Sequence, residues 1–291
     1  MANILITGTS KGIGFTTALA FARKGHTVAA TMRNPEAAPA LSKAVENEKL
    51  NIKIYKMDVD SDVSVKEGIE KIVNDIGPID VLVNNAGIER MGTVEDLTMD
   101  DFRVVMDTNY FGVIRCIKAV LPGMRKRGSG CIINIASVAG QIASAAMSAY
   151  SASKFALESL SEILAGEVKS FGIKVAIVEP GIIDTSMAQH ITVKPDKSLY
   201  SHAERLSALF TSSLKRPVSP DIVADKIVEI TESENPVLRH PVGPDAIPFL
   251  SWRRSMTDEE WVALAGLDDD TWYQRMEGDF GMELRIYASA Q

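Results

Sequence analysis

Short runs rich in Ile and Val alternate with longer amphipathic stretches from the first residues to about position 240. The short runs predict seven strands, at 3–7, 27–31, 51–56, 80–85, 131–136, 174–179 and 236–240. Several are apolar at successive positions, as expected of strands covered on both faces. Between them a helical period predicts helices over 13–24, 38–48, 62–76, 99–126, 149–170 and 220–233. This βαβα alternation predicts an α/β fold, a doubly wound seven-stranded parallel sheet with helices on both faces. Residues 185–218 are polar and lack a strand pattern; with one short helix expected near 201–214, they read as a lid-like insertion. The expected organisation is a single domain over 1–255 followed by a C-terminal extension over 256–291.

Composition changes this picture little: 291 residues, 46% hydrophobic and 24% charged, describe an ordinary globular chain with ample core. The two cysteines, Cys116 and Cys131, and an N-terminus without a basic region or long apolar stretch predict no disulfide framework and no secretory signal. A reducing, cytoplasmic setting is expected. No run approaches the roughly 18 apolar residues of a membrane span. The net charge of -7 argues against a nucleic-acid partner.

That charge is unevenly spread, and its distribution is informative. Residues 256–291 hold nine acids against two bases, leaving 29 of each over residues 1–255. The chain's end is aromatic: all three tryptophans, Trp252, Trp261 and Trp272, lie beyond residue 250, and Tyr273, Phe280 and Tyr287 follow them. A purely solvating acidic tail would be poor in aromatics. The extension is therefore expected to be ordered, to begin with a helix capped by Thr257-Asp258-Glu259-Glu260, and to dock on the domain or a neighbouring subunit beside the lid. His26, His190, His202 and His240 lack metal-ligand spacing, so no metal site is expected; His190 and His202 read as exposed.

Candidate chemistry begins directly after the first strand, at Thr7-Gly8-Thr9-Ser10-Lys11-Gly12-Ile13-Gly14, with a helix following at once. Glycines there permit a tight turn and close approach of backbone to a pyrophosphate, which the helix N-terminus then faces. The spacing is GxxxGxG, not the common GxGxxG. Nineteen positions after Gly14, where an NAD-binding chain would carry Asp or Glu, stands Arg33. An arginine there pairs with a 2′-phosphate, and Lys11 lies on a loop expected to converge on it, which favours NADP. Tyr150 and Lys154, four apart, share one helix face. Such a pair recurs by chance; Ser137 just past the fifth strand, and Asn84-Asn85-Ala86-Gly87 ending the fourth, supply context, because ligands bind at the carboxyl edge of a parallel sheet.

TGTSKGIG, NNAG, Asn109 within TNYFG, Ser137, YSASK and Pro180-Gly181 followed by Thr185 resemble, in order and approximate spacing, the short-chain dehydrogenases/reductases of the shorter, single-domain Rossmann subtype. The resemblance covers about residues 1–185 firmly and 186–255 loosely. Ala30-Thr31-Met32-Arg33-Asn34 also resembles members acting on steroids and retinoids. The resemblance implies that Tyr150 is the general acid and base, that Lys154 stabilises the tyrosinate and holds the nicotinamide ribose, and that Ser137 polarises the substrate oxygen. It implies that Asn109 holds a proton-relaying water and that Asp58 and Val59 contact the adenine. Gly8, Ser10, Lys11, Gly12, Ile13, Gly14, Arg33, Asn85, Ala86 and Gly87 would complete the cofactor site with Pro180, Gly181 and Thr185. Pro180 to Thr185 would flank the nicotinamide.

The resulting expectation is an NADP-linked enzyme, a homodimer or homotetramer, that interconverts a secondary alcohol and a ketone or aldehyde. Ile142, Met147, Met187 and the 188–214 segment are candidate walls for a hydrophobic small-molecule substrate. Two rival readings are a non-enzymatic NADP-binding sensor or scaffold on the same fold, and isomerase or dehydratase chemistry with a retained cofactor. A tyrosine activated by a lysine has no purpose in a sensor.

Overall fold

The computed structural model describes residues 1–192 and 198–288, so positions 193–197 of the lid-like segment and 289–291 of the extension lie outside the described residues. The first half of the chain runs β1 (Asn3–Thr7), α1 (Gly12–Arg23), β2 (Thr27–Met32), α2 (Pro39–Glu48), β3 (Ile52–Lys56), α3 (Asp62–Ile76) and β4 (Val81–Asn84). Then come α4 (Met99–Met106), α5 (Gly112–Arg127), β5 (Gly130–Ile135), α6 (Ser148–Val168) and β6 (Ile173–Pro180). After the sheet's sixth strand follow α7 (Ser186–Ile191), α8 (His202–Ser213), α9 (Asp221–Glu232) and β7 (Arg239–Val242). Helix α10 (Ala246–Arg254) closes the domain, and the extension adds α11 (Asp258–Ala265), α12 (Asp269–Phe280) and α13 (Arg285–Ala288).

The seven strands pair in parallel in the order β3-β2-β1-β4-β5-β6-β7, a doubly wound Rossmann sheet. Because side chains alternate along a strand, the apolar runs supply two cores at once. Ile4, Ile6, Val28 and Val83 pack with Phe21 of α1, Leu41 of α2 and Ile227 of α9. Leu5, Ala29, Leu82 and Ile132 pack on the other face with Ile69 of α3, Ile117 of α5 and Leu157 of α6. The chain reverses direction of winding between β1 and β4, and the crevice outside their carboxyl ends is where this topology binds ligands.

Three expectations need correction. The last strand is displaced from 236–240 to Arg239–Val242, with the carbonyl of Leu238 accepting from the Ile177 amide (2.7 Å). Pro241 lies inside it, tolerated because β7 is an edge strand. The helix expected over 99–126 is broken by a π-turn at Asp107–Phe111 that buries Thr108 and Asn109. Helix α10, not expected from the pattern, forms despite Pro248 because Ala246, Phe249 and Leu250 present one buried face.

The extension lies against α8. Thr257 and Glu260 form the reciprocal cap of α11. Arg205, almost wholly buried, donates to Asp269 (2.6 Å) and to the carbonyls of Leu267 (2.6 Å) and Ala265 (3.2 Å). His202 meets the same Ala265 carbonyl at 3.0 Å. Tyr273, Met276 and Leu284 are buried with Ala208 in a cluster of their own.

Candidate functional site

The glycine loop is shaped by contacts that leave no room for side chains. Gly8 has φ +71°, and a Cβ there would stand 2.7 Å from the Ala86 Cα; one on Gly14 would overlap the Gly8 carbonyl. Asn85 holds this loop from across the sheet, its Nδ2 donating to the carbonyls of Thr7 (2.9 Å) and Gly8 (3.0 Å). The Thr7 hydroxyl accepts in return from the amides of Asn85 and Ala86, each at 3.0 Å. The side chain of Asn85 therefore supports the loop. No side chain caps α1, so its first N–H groups are left to the crevice that Ser10, Lys11, Gly12 and Ile13 line. This cradle of glycine backbone at an uncapped helix N-terminus fits a diphosphate.

Arg33 directly follows β2 at the same crevice, and an adjoining recess is lined by Ser10, Lys11, Arg33, Asn34 and Lys43. Lys43, on α2, carries no motif signal and is visible only once the helix is placed. Asp58 and Val59 line the crevice after β3; Asp58 is fixed by its amide donating to the Ser64 hydroxyl (2.9 Å). Asp60, also missed in the sequence, accepts from the Thr108 hydroxyl of the π-turn (3.0 Å), and burial raises its pKa.

Helix α6 presents Tyr150 and Lys154 from successive turns to the end of β5. The Lys154 Nζ donates to the Ile135 carbonyl (2.7 Å) and lies 5.6 Å from the centroid of the Tyr150 ring. Burial pushes the Tyr150 phenol up to about 12, against a hydrogen bond with Ser137 that lowers it, and the charge of Glu89 adds to the rise. Burial pushes Lys154 down to about 8, opposed by Glu158. Ser137 accepts from the Ala139 amide (3.1 Å), capping a short 3-10 turn, and donates to the Pro180 carbonyl (3.4 Å). Asn109 sits behind them: its Oδ1 accepts from the Ile88 amide (2.8 Å), and its Nδ2 donates to the Ile88 carbonyl and the Ser153 hydroxyl (2.9 Å each). Both polar atoms of that side chain are thus engaged in fixing the segment after Gly87 against α6.

Pro180 ends β6 and Gly181 follows it. A Cβ on Gly181 would overlap Asp245, whose Oδ2 accepts from the Ile182 amide (2.7 Å), a support with no sequence signal. Thr185 caps α7 through the Ala188 amide (3.3 Å) and faces Gly12 across the crevice. Every site residue named from the sequence lines one cavity of about 610 Å³ except Gly14 and Asn109, which stand behind its wall.

Beyond Tyr150 the same cavity is mostly apolar, lined by Ile142, Met147, Met187 and Phe210. The extension contributes Trp261, which donates to the Ala143 carbonyl (2.9 Å), and Trp272, while α10 contributes Phe249 and Trp252. Buried charges break this wall at Glu89 and Arg205. Glu89, which the sequence reading passed over, receives His190 Nδ1 of α7 at 2.9 Å; the His190 ring is otherwise exposed. His202, expected on the surface, lines the cavity instead. Among the described residues, no group of three His, Cys, Asp or Glu side chains is placed to hold a metal.

Comparison with known proteins identifies the family and the fold. A profile of the family described as short chain dehydrogenase matches residues 2–196. The chain is 37% identical over 249 residues to 3-ketodihydrosphingosine reductase of Bacteroides thetaiotaomicron, covering 83% of this chain and 87% of that one. It is 38% identical over 256 residues to human retinol dehydrogenase 8, covering 81% and 79%. Among solved structures, a short-chain dehydrogenase from Streptomyces avermitilis superposes with a TM-score of 0.76 at 35% identity, over 90% of this chain and 97% of that one.

Proposed function

This chain belongs to the short-chain dehydrogenase family and is an oxidoreductase, and from that premise we propose that it uses NADP to interconvert a hydrophobic alcohol and its ketone or aldehyde. The observation that carries this reading is the single cavity in which the glycine loop, Ser137, Tyr150, Lys154 and an apolar wall meet. A bound nicotinamide dinucleotide supplies or accepts the hydride.

Each residue's part follows from its chemistry. The loop amides and the α1 N-terminus hold the diphosphate, Arg33 and Lys11 the 2′-phosphate, with Lys43 beside them. Asp58 and Val59 flank the adenine; Ala86, Gly87, Pro180, Gly181 and Thr185 flank the nicotinamide, and Lys154 holds its ribose. Ser137 donates to the substrate oxygen and polarises it. Tyr150, with a pKa pushed up to about 12, is protonated at neutral pH and is poised to give its proton to a carbonyl oxygen in the reductive direction. Asn109 fixes the Gly87–Ile88 segment, and a relay water beside it would return a proton toward Lys154.

The organisation we assign is one catalytic domain over 1–255 with an extension over 256–291 that completes the substrate end of the cavity. The names of the two relatives denote ketodihydrosphingosine and retinol, and the apolar wall supports a lipid-like substrate here. Exposed Phe111, Phe155 and Ile163 on the outer side of the π-turn and α6 support a homodimer or homotetramer. The buried free thiols Cys116 and Cys131 suit a reducing cytoplasm.

The test is a titration with NADPH and NADH, followed by a panel of ketones, aldehydes and alcohols monitored by NADPH absorbance. NADPH is expected to bind at least about tenfold tighter, roughly 1.4 kcal/mol. Equal affinities, or an unchanged ratio in Arg33→Ala, would remove the NADP assignment. Binding without turnover of any member would favour the sensor reading.

A further inference from the structure

One turn beyond Lys154, α6 carries Glu158 into the interior, where it meets Glu179 at the end of β6, directly before Pro180. Glu179 is 0% exposed and Glu158 5%. Arg239 of β7 donates from Nε to Glu158 Oε2 (3.0 Å) and from its terminal nitrogen to Glu162 Oε2 (2.7 Å), and its Nε stands 3.9 Å from Glu179 Oε1. Gln141, four residues after Ser137, donates to Glu179 Oε1 and accepts from Arg254 of α10 (2.7 Å). The two remaining oxygens, Glu158 Oε1 and Glu179 Oε2, are buried and receive no donor from the rest of the protein. The hydrogen bond open to them is the one between the two carboxyl groups, and it requires a proton.

The charged groups facing this pair are Lys154 and Glu162 on α6, Arg239 on β7 and Arg254 on α10. Asp245, also on the α10 side, is turned to Gly181 and Ile182. Two adjacent buried carboxylates with one guanidinium at hydrogen-bonding distance do not both ionise readily, because each removes solvation from the other and repels it.

We propose that Glu158 and Glu179 share one proton at neutral pH, and that the single negative charge they retain keeps the neighbouring Lys154 in its ammonium form. Both glutamates are then positioning residues, acting through Lys154. The catalytic consequence rests on the function proposed above; the shared proton does not. The direction of each titration agrees. Burial raises Glu158, with the charge of Glu179 adding to it; burial likewise raises Glu179, and the charge of Glu158 works against the depression of Lys154. The pair titrates as a unit. It also ties together three segments of the site, the loop after Ser137, the Lys154 helix and the strand end at Pro180.

Two measurements on the intact protein test this, and neither needs cofactor or substrate. Infrared difference spectra at neutral pH, wild type minus Glu158→Gln and wild type minus Glu179→Gln, are expected to show a protonated carboxyl stretch lost in each variant. Glutamine keeps the shape and supplies the donor that the proton had supplied, so a loss reports protonation and not collapse. In protein labelled with carbon-13 lysine, the Lys154 side-chain titration, assigned with Lys154→Arg, is expected to fall by about one pH unit in Glu158→Gln/Glu179→Gln. Absence of the carboxyl band, or a Lys154 midpoint unmoved in the folded double variant, would overturn the proposal. Should the double variant not fold, Glu158→Gln alone decides: it moves the charge away from Lys154, and a midpoint no lower than wild type overturns the proposal equally. Failure of NADPH to bind would count against the cofactor assignment and leave both measurements standing.

Discussion

Burial sets Tyr150 and Lys154 apart from the same groups in water, and it moves them in opposite directions. The phenol stays protonated up to about 12, whereas the ammonium is lost as pH rises through about 8. On the proposed mechanism carbonyl reduction is expected to hold through neutral pH and to decline above about 8, as Lys154 loses the charge assigned to the ribose and the tyrosinate; a kcat/KM profile from pH 6 to 10 with NADPH shows it. A rate still rising at pH 10 would contradict the role given to Lys154. Replacing Tyr150 by Phe removes the proton donor while leaving the surrounding packing. Turnover should fall at least about 100-fold, the usual worth of a positioned general acid, with NADPH affinity nearly unchanged. Single-turnover kinetics beside direct binding separates the two effects.

At the scale of elements, the turn at Asp107–Phe111 illustrates how a local irregularity serves the site. The π-turn directs Thr108 toward Asp60 and brings Asn109 to the Ile88 backbone and Ser153. An uninterrupted α-helix would advance the same residues by a different angle. Asn109→Ala leaves the half-buried Ile88 amide and carbonyl without their partner, at a cost of about 2 kcal/mol. Urea unfolding is expected to show that loss, and a variant as stable as wild type would mean that Ile88 finds other partners. Arg239 and Gln141 play the corresponding part on the other side, joining β7 and the Ser137 loop to the buried glutamates.

The whole molecule is closed at its substrate end by residues from the end of the chain. Trp252 meets both Trp261 and Phe280 edge to face, with centroids 5.3 Å (Trp252–Trp261) and 5.0 Å (Trp252–Phe280) apart. Arg205 anchors α12 and the preceding turn to α8. Truncation after residue 255 uncovers Phe249 and Phe210 and removes Trp261, Trp272 and Met276 from the cavity wall. The truncated protein is expected to lose affinity for apolar substrates by about tenfold or more while binding NADPH as before, since the glycine loop and Arg33 lie at the other end. Steady-state kinetics with fluorescence titration of NADPH measures both. Equal substrate affinity after truncation, with water-like tryptophan emission in the intact chain, would show that the extension has no part in the site.

The sequence by itself determined the parallel sheet, most of its flanking helices and the motif residues that line the cavity. Strands covered on both faces and amphipathic helices leave their period in consecutive residues, and TGTSKGIG and YSASK carry local geometry in their spacing. Tertiary structure alone decided what depends on partners distant along the chain. Lys43 beside Arg33, Glu89 with His190, Asp245 beneath Gly181 and the turning of Asn85 toward the glycine loop have no period or spacing to announce them. The same holds for the π-turn within an uninterrupted helical pattern, and for an extension whose aromatic content predicted docking but not its partner, Arg205. Protonation belongs wholly to this second class. Nothing in the spacing of Glu158 and Glu179 distinguishes them from solvated glutamates; their pKa is set by the water excluded when α6, β6 and β7 pack together.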